Sequence, residues 1–278
     1  ALAGLSPRAS AAQQEPLVAF VSTRDGNSEI YVARAGGGSA QRLTFNAGWD
    51  WQPAWSPDGR RIVFTSRVGV STDIYTIRPD GADLARLTTN PADDREPAWS
   101  PDGRRIAFVS WRDGNPDIYA MNPDGSDQRR LTDHPAWDWN PVWSPDSQRL
   151  ALLSYRDRNY EIYSMKADGT GLLRLTSDAG DDSAPVWSPD GTRIAFVRER
   201  ARHSALWVIG SDGSGARELV PPVRRIRQAA WAPDGKRLAF TVFMECGEAD
   251  CYDALYITND DGSGLRRVAL FPPANGEV

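Results

Sequence analysis

An all-β fold is predicted for this chain, a six-bladed β-propeller of four-stranded antiparallel blades, and three observations predict it. The first is a recurring phrase. Trp55-Ser56-Pro57-Asp58-Gly59 returns with its tryptophan at 99, 143, 187 and 231, each 44 residues after the last. A fixed period of this size means one supersecondary unit repeated along the chain. The second is the unit itself, which reads as short strands separated by turn signals, with no helical stripe in any window. The third is the number of copies. The second-strand triplet stands at Val18-Ala19-Phe20, Ile62-Val63-Phe64, Ile106-Ala107-Phe108, Leu150-Ala151-Leu152, Ile194-Ala195-Phe196 and Leu238-Ala239-Phe240, which makes six. Six such units bury both faces of each sheet by packing radially. A linear solenoid would need polar capping repeats at both ends, and none is seen.

The unit beginning at Pro97 justifies each strand in turn. Pro97-Ala98-Trp99-Ser100 is a short apolar run. Pro101-Asp102-Gly103 is a tight turn, in which proline pre-sets one backbone angle and glycine accepts a positive one. Arg105 to Ser110 is apolar enough to be buried on both faces. A polar loop from Trp111 to Pro116 leads to the alternating run Asp117 to Met121, and after the turn Asn122-Pro123-Asp124-Gly125 the fourth strand spans Gln128 to Thr132. The third-strand pair recurs at Ile30-Tyr31, Ile74-Tyr75, Ile118-Tyr119, Ile162-Tyr163, Leu206-Trp207 and Leu255-Tyr256. The last interval is 49 residues instead of 44, so the sixth unit carries an insertion near 244–253.

The phrase Ser110 to Ser126, followed by Arg130-Leu131-Thr132 and Trp143-Ser144-Pro145-Asp146, resembles the TolB-like propeller repeat. The resemblance covers residues 17 to about 269 and specifies fold far better than function. It implies a propeller and, by analogy, a protein-binding role. Only sixteen residues precede the first repeat, so the α/β domain that precedes the propeller in TolB is not expected in this sequence. Residues 1–16 are expected to be a tail, and residues 17–278 the propeller. The missing inner strand of the first repeat is expected around residues 8–12, since Ala11 stands 44 residues before Trp55. The alternative donor is the tail from Phe271.

The chain has 37 acidic and 32 basic residues, a net charge of −5. That balance offers no general attraction to nucleic acid or to anionic membranes. No run of 18 apolar residues spans a bilayer as a helix. Cys246 and Cys251 both fall in the insertion, where a small disulfide ring is expected; two ligands are too few for structural zinc. A disulfide would place the protein outside the cytoplasm, secreted or periplasmic.

Strand order puts the Pro-Asp-Gly turns on one face, and the second-to-third loops together with the connections between repeats on the other. Function is expected on that varied face. Its connections read Trp49-Asp50-Trp51, Asp94-Arg95, Trp137-Asp138-Trp139, Asp181-Asp182 and Arg225-Ile226-Arg227. The aspartates suit braces between blades, and an acidic ring attracting calcium is the alternative. Trp49, Trp51, Trp137 and Trp139 offer flat apolar surface to a peptide, a protein or a sugar. Arg198, Arg200, Arg202 and His203, with Arg224, Arg225 and Arg227, form a basic sector suited to a carboxylate. The candidate ligand-binding set is therefore Trp49, Asp50, Trp51, Asp94, Arg95, Trp137, Asp138, Trp139, Asp182, Arg225 and Arg227, and it suits an acidic or zwitterionic extended ligand. With two histidines, His134 and His203, no nucleophile elbow and no phosphate loop, neither a catalytic residue nor a cofactor is expected. A non-enzymatic protein- or peptide-binding propeller is the expected function. Carbohydrate binding is the first alternative, and a hydrolase or lyase using channel carboxylates the second.

Overall fold

In a computed structural model the described residues are 2–5, 15–243 and 253–271. They form six four-stranded antiparallel sheets, each in chain order, as a six-bladed β-propeller. The first sheet holds β1 (Leu2–Leu5), β2 (Leu17–Ser22), β3 (Glu29–Arg34) and β4 (Gln41–Arg42). The second holds β5 (Trp49–Trp55), β6 (Ile62–Arg67), β7 (Asp73–Ile77) and β8 (Ala85–Arg86). The third holds β9 (Asp94–Trp99), β10 (Ile106–Ser110), β11 (Asp117–Met121) and β12 (Arg129–Arg130). The fourth holds β13 (Asp138–Trp143), β14 (Arg149–Ser154), β15 (Glu161–Lys166) and β16 (Leu173–Arg174). The fifth holds β17 (Asp181–Trp187), β18 (Arg193–Arg200), β19 (His203–Gly210) and β20 (Arg217–Val223), and the sixth β21 (Ile226–Trp231), β22 (Arg237–Phe243), β23 (Asp253–Asn259) and β24 (Arg266–Phe271).

The chain divides into two compact units, residues 1–147 and 148–278. In the first, Val63, Ile74, Leu87, Ile106, Phe108 and Met121 form one buried cluster with Trp99 packed against it. In the second, Ala195, Val197, Leu206, Leu238 and Phe240 do the same with Trp231. Phe64, Phe108, Phe196 and Phe240 hold the same place in their repeats, and each is fully buried. Burying one such side chain stabilises by about 1.5–3 kcal/mol.

The Ser-Pro-Asp-Gly turns satisfy themselves. In the fifth repeat the Ser188 hydroxyl donates to Asp190 at 2.5 Å, and Thr192 N–H to the same oxygen at 3.0 Å. The Ser188 bond, then that backbone bond, hold the Asp190 carboxyl down at about 2. Gly191 completes the turn at φ 71°.

Two findings differ from the expected strands. The first sheet takes Leu2–Leu5 as its leading strand, with Leu2 opposite Phe20 and Leu5 opposite Val18. Residues 8–12 and those after Phe271 lie outside the described residues. Second, the connections before each tryptophan are strand, not loop: β5 starts at Trp49 and β9, β13 and β17 at Asp94, Asp138 and Asp181. These long inner strands keep one irregularity. Gln52, Glu96, Asn140 and Ala184 have φ of 56°, 56°, 51° and 49°, a left-handed bulge just before each inner-strand proline.

Candidate functional site

The inner strands set the site. Asp50, Asp94, Asp138 and Asp182 are all fully buried. Their backbone N–H groups reach the preceding repeat: Asp50 donates to Ser28 O at 2.8 Å, and Asp94 to Thr72 O at 2.8 Å. Asp94 and Asp182 each face a guanidinium of their own repeat. Arg112 lies 3.1 Å from Asp94, and Arg198 grips Asp182 with two bonds of 2.7 and 2.8 Å. Burial outweighs these partners and pushes the Asp94 and Asp182 carboxyls up. Asp94 and Asp182 are thus tied into their own repeats, and among the described residues no group of three His, Cys, Asp or Glu gathers as a metal site.

The tryptophans alternate with these acids and so turn the other way. Trp137 is 51% exposed, and its ring meets Trp139 edge-on at 6.4 Å. Trp139 meets Trp111 at 4.8 Å, and the Arg95 guanidinium lies 5.1 Å over Trp111. Arg95 is held there by Asp93 at 2.7 Å. The four side chains make one ridge, with Trp137 at its open end. Trp49, in the matching place two repeats earlier, is 58% exposed, while Trp51 is half-buried.

Beneath the ridge, the bulge residues link in sequence. Glu96 N–H donates to Gln52 Oε1 at 3.1 Å, and Asn140 N–H to Glu96 Oε2 at 2.7 Å. Burial pushes the Glu96 carboxyl up. An acid whose pKa is raised by folding contributes stability at low pH and loses it as the pH climbs through the raised value. Glu96→Gln keeps the acceptor for Asn140, as Gln52 already does for Glu96, and removes the charge. Thermal unfolding should show a Tm about 2–4 °C higher at pH 7, with no gain near pH 4. An equal shift at both pH values would contradict this.

The basic sector is largely committed. Arg198 is buried, and Arg200 pairs with Asp178 at 2.5 Å. Arg227 is exposed but shares Asp253 at 3.4 Å and covers Phe243. Arg225 is exposed, and its carbonyl accepts from Phe243 N–H at 2.7 Å. Cys246 and Cys251 lie outside the described residues.

Three features of this region were missed from the sequence. Trp111 was read as part of a polar loop, and Glu96 was given no part in the site. The third signal was open to comparison. The second-to-third loops read Arg24-Asp25-Gly26-Asn27, Arg112-Asp113-Gly114-Asn115 and Arg156-Asp157-Arg158-Asn159, but the second repeat has Val68-Gly69-Val70-Ser71.

The fold is that of a propeller, with buried carboxylates along its inner strands and an exposed aromatic ridge. The TolB beta propeller domain model matches residues 5–81 and 133–250, more than half of the chain, and the chain belongs to that family. The model of the Tricorn protease N-terminal beta propeller domain matches residues 68–161. The Tol-Pal system protein TolB of Desulfosudis oleivorans is 44% identical over 52 residues, covering 19% of this chain and 12% of that protein. Among solved structures, TolB from Acinetobacter baumannii superposes with a TM-score of 0.74 at 21% identity, over 94% of this chain and 64% of that one. An oligogalacturonate lyase in complex with manganese superposes with a TM-score of 0.71 at 14% identity, over 91% of this chain and 73% of that one. These superpositions show a shared fold.

Proposed function

We propose that this propeller binds a protein or peptide through the aromatic ridge of its first unit, without catalysing a reaction. The observation that carries the reading is the division of labour along the inner strands. The acids are buried, with Asp94 gripped by an arginine, while Trp137 and Trp49 stay open. Relatives named as Tol-Pal system proteins support a protein ligand. A sugar is the second reading, because an exposed indole face such as that of Trp137 also stacks on a pyranose ring. Affinity capture with mass spectrometry beside a glycan array separates the two. Turnover of oligogalacturonate or of a lactone panel would overturn both.

A location outside the cytoplasm belongs to the same proposal and is supported by the presence of two cysteines, Cys246 and Cys251, close together in the sequence of the sixth repeat. Thiol titration of the unfolded, unreduced protein should find no free thiol; two free thiols would count against export.

A further inference from the structure

The repeat supplies its own control for a site in the second blade. In the third blade, Arg112 plugs the groove facing the second. Its Nε donates to Ser110 Oγ at 2.7 Å, its Nη2 lies 3.1 Å from Asp94, its Nη1 donates to Gln128 at 2.8 Å, and its guanidinium lies 4.6 Å over the Tyr119 ring. Arg24 in the first blade and Arg156 in the fourth likewise donate to Ser22 and Ser154 and cover Tyr31 and Tyr163. In the second blade the matching residues are Val68 for Arg112 and Leu84 for Gln128.

The receiving groups remain. Ser66 matches Ser110, Tyr75 matches Tyr119, and Asp50 matches Asp94. Asp50 is fully buried. Asn46 holds its Oδ2 at 2.7 Å, but Oδ1 has no partner. A buried carboxylate oxygen left in this way is costly. The gap is also wider here. A Cβ on Gly125 would meet Leu87 O at 2.6 Å, whereas one on Gly81, its counterpart, would meet nothing within 4 Å. Here lies a cavity of about 640 Å³ whose wall includes Phe45, Asn46, Phe64, Ser66, Val68 and Tyr75; Asp50 is not itself in the wall but is bonded to Asn46, which is. Its resident cation, Arg42, is already taken by Glu29 at 2.7 Å, and Asp80 on the rim is taken by Arg78 at 2.8 Å. Phe45 at the mouth is 74% exposed.

We propose that this cavity binds a guanidinium supplied from outside, the side chain of an arginine on a protein or peptide partner. It would occupy the place that Arg112 fills in the third blade, bonded to Ser66 Oγ and Asp50 and stacked on Tyr75. Guanidinium suits the place better than ammonium because its planar fork serves two acceptors while its face meets a ring. That the carrier is a protein rests on the reading above; the chemistry of the cavity does not, so the experiment uses no partner.

Isothermal titration with agmatine, a guanidinium on a short alkyl chain, tests it. Saturable binding in the millimolar range is expected, weaker by about tenfold for n-pentylamine of similar length. Val68→Arg returns the missing plug and should abolish agmatine binding while raising Tm. Asp50→Asn should weaken binding by about tenfold or more. If Val68→Arg fails to fold, Leu84→Gln, on an exposed turn, restores the acceptor that Gln128 offers to Arg112 and should raise the agmatine affinity; unchanged affinity would count against the site. No saturable binding up to about 50 mM, or equal binding by wild type and the plugged variant, would overturn the proposal. Capture of a partner with no agmatine binding would reject this site and leave the ridge standing.

Discussion

Arg198→Met is expected to lower the unfolding free energy by about 3–5 kcal/mol, the usual cost of removing one partner from a buried ion pair. Arg198 does three things at once. It grips Asp182 bidentately, lies 3.6 Å from Asp178, and covers the Trp207 ring at 4.5 Å. Methionine keeps the apolar stem over the ring but leaves a fully buried carboxylate without its guanidinium. The pH dependence gives the loss a signature. Burial already pushes the Asp182 carboxyl up with the arginine present. Without the guanidinium it moves higher, so the folded variant takes up a proton that the unfolded chain has released. Stability is then lost as pH rises, and the deficit should be larger at pH 8 than at pH 5. Asp182→Asn added to Arg198→Met should recover much of it, because the two changes share one interaction. Denaturant unfolding of Arg198→Met, of Asp182→Asn alone and of the double variant checks this; additive losses in the double variant would contradict the brace.

Trp49→Ala with Trp137→Ala is expected to weaken capture of the partner by about thirtyfold or more, since large aromatic anchors carry about 2–4 kcal/mol at interface centres. The fold should tolerate the pair, because both indoles are more than half exposed, 58% and 51%. Trp139→Ala is a contrasting case. It sits between Trp111 and Trp137, so its loss should cost both stability and binding. Unchanged affinity of a folded Trp49/Trp137 double variant, measured by surface plasmon resonance, would remove the ridge from the account.

Much of the fold was legible because it is written in spacing. A period of 44 residues, the Trp-Ser-Pro-Asp turns and the apolar second strands all describe one unit, and repetition suppresses the ambiguity of any single copy. The site was less legible for a physical reason. Asp50 and Trp49 are neighbours in sequence, but alternation along a strand sends one into the interior and the other to solvent. Taking the connections as loops hid that alternation. Arg198 and Arg200 looked like surface charge because their acidic partners, Asp182 and Asp178, lie at least 16 residues away in sequence. The leading strand at Leu2–Leu5 escaped register counting because the spacing before the first repeat does not follow the period. The missing plug in the second blade was readable, but only by setting it beside the first, third and fourth copies, which share the arginine.

Hydrogen exchange of the backbone with and without the captured partner tests the central claim most directly. The account predicts protection confined to the amides around Trp49, Arg95, Trp111 and Trp137, with the Ser56–Arg60 and Ser100–Arg104 turns unchanged. Protection of those turns, with the tryptophan segments exchanging freely, would contradict it.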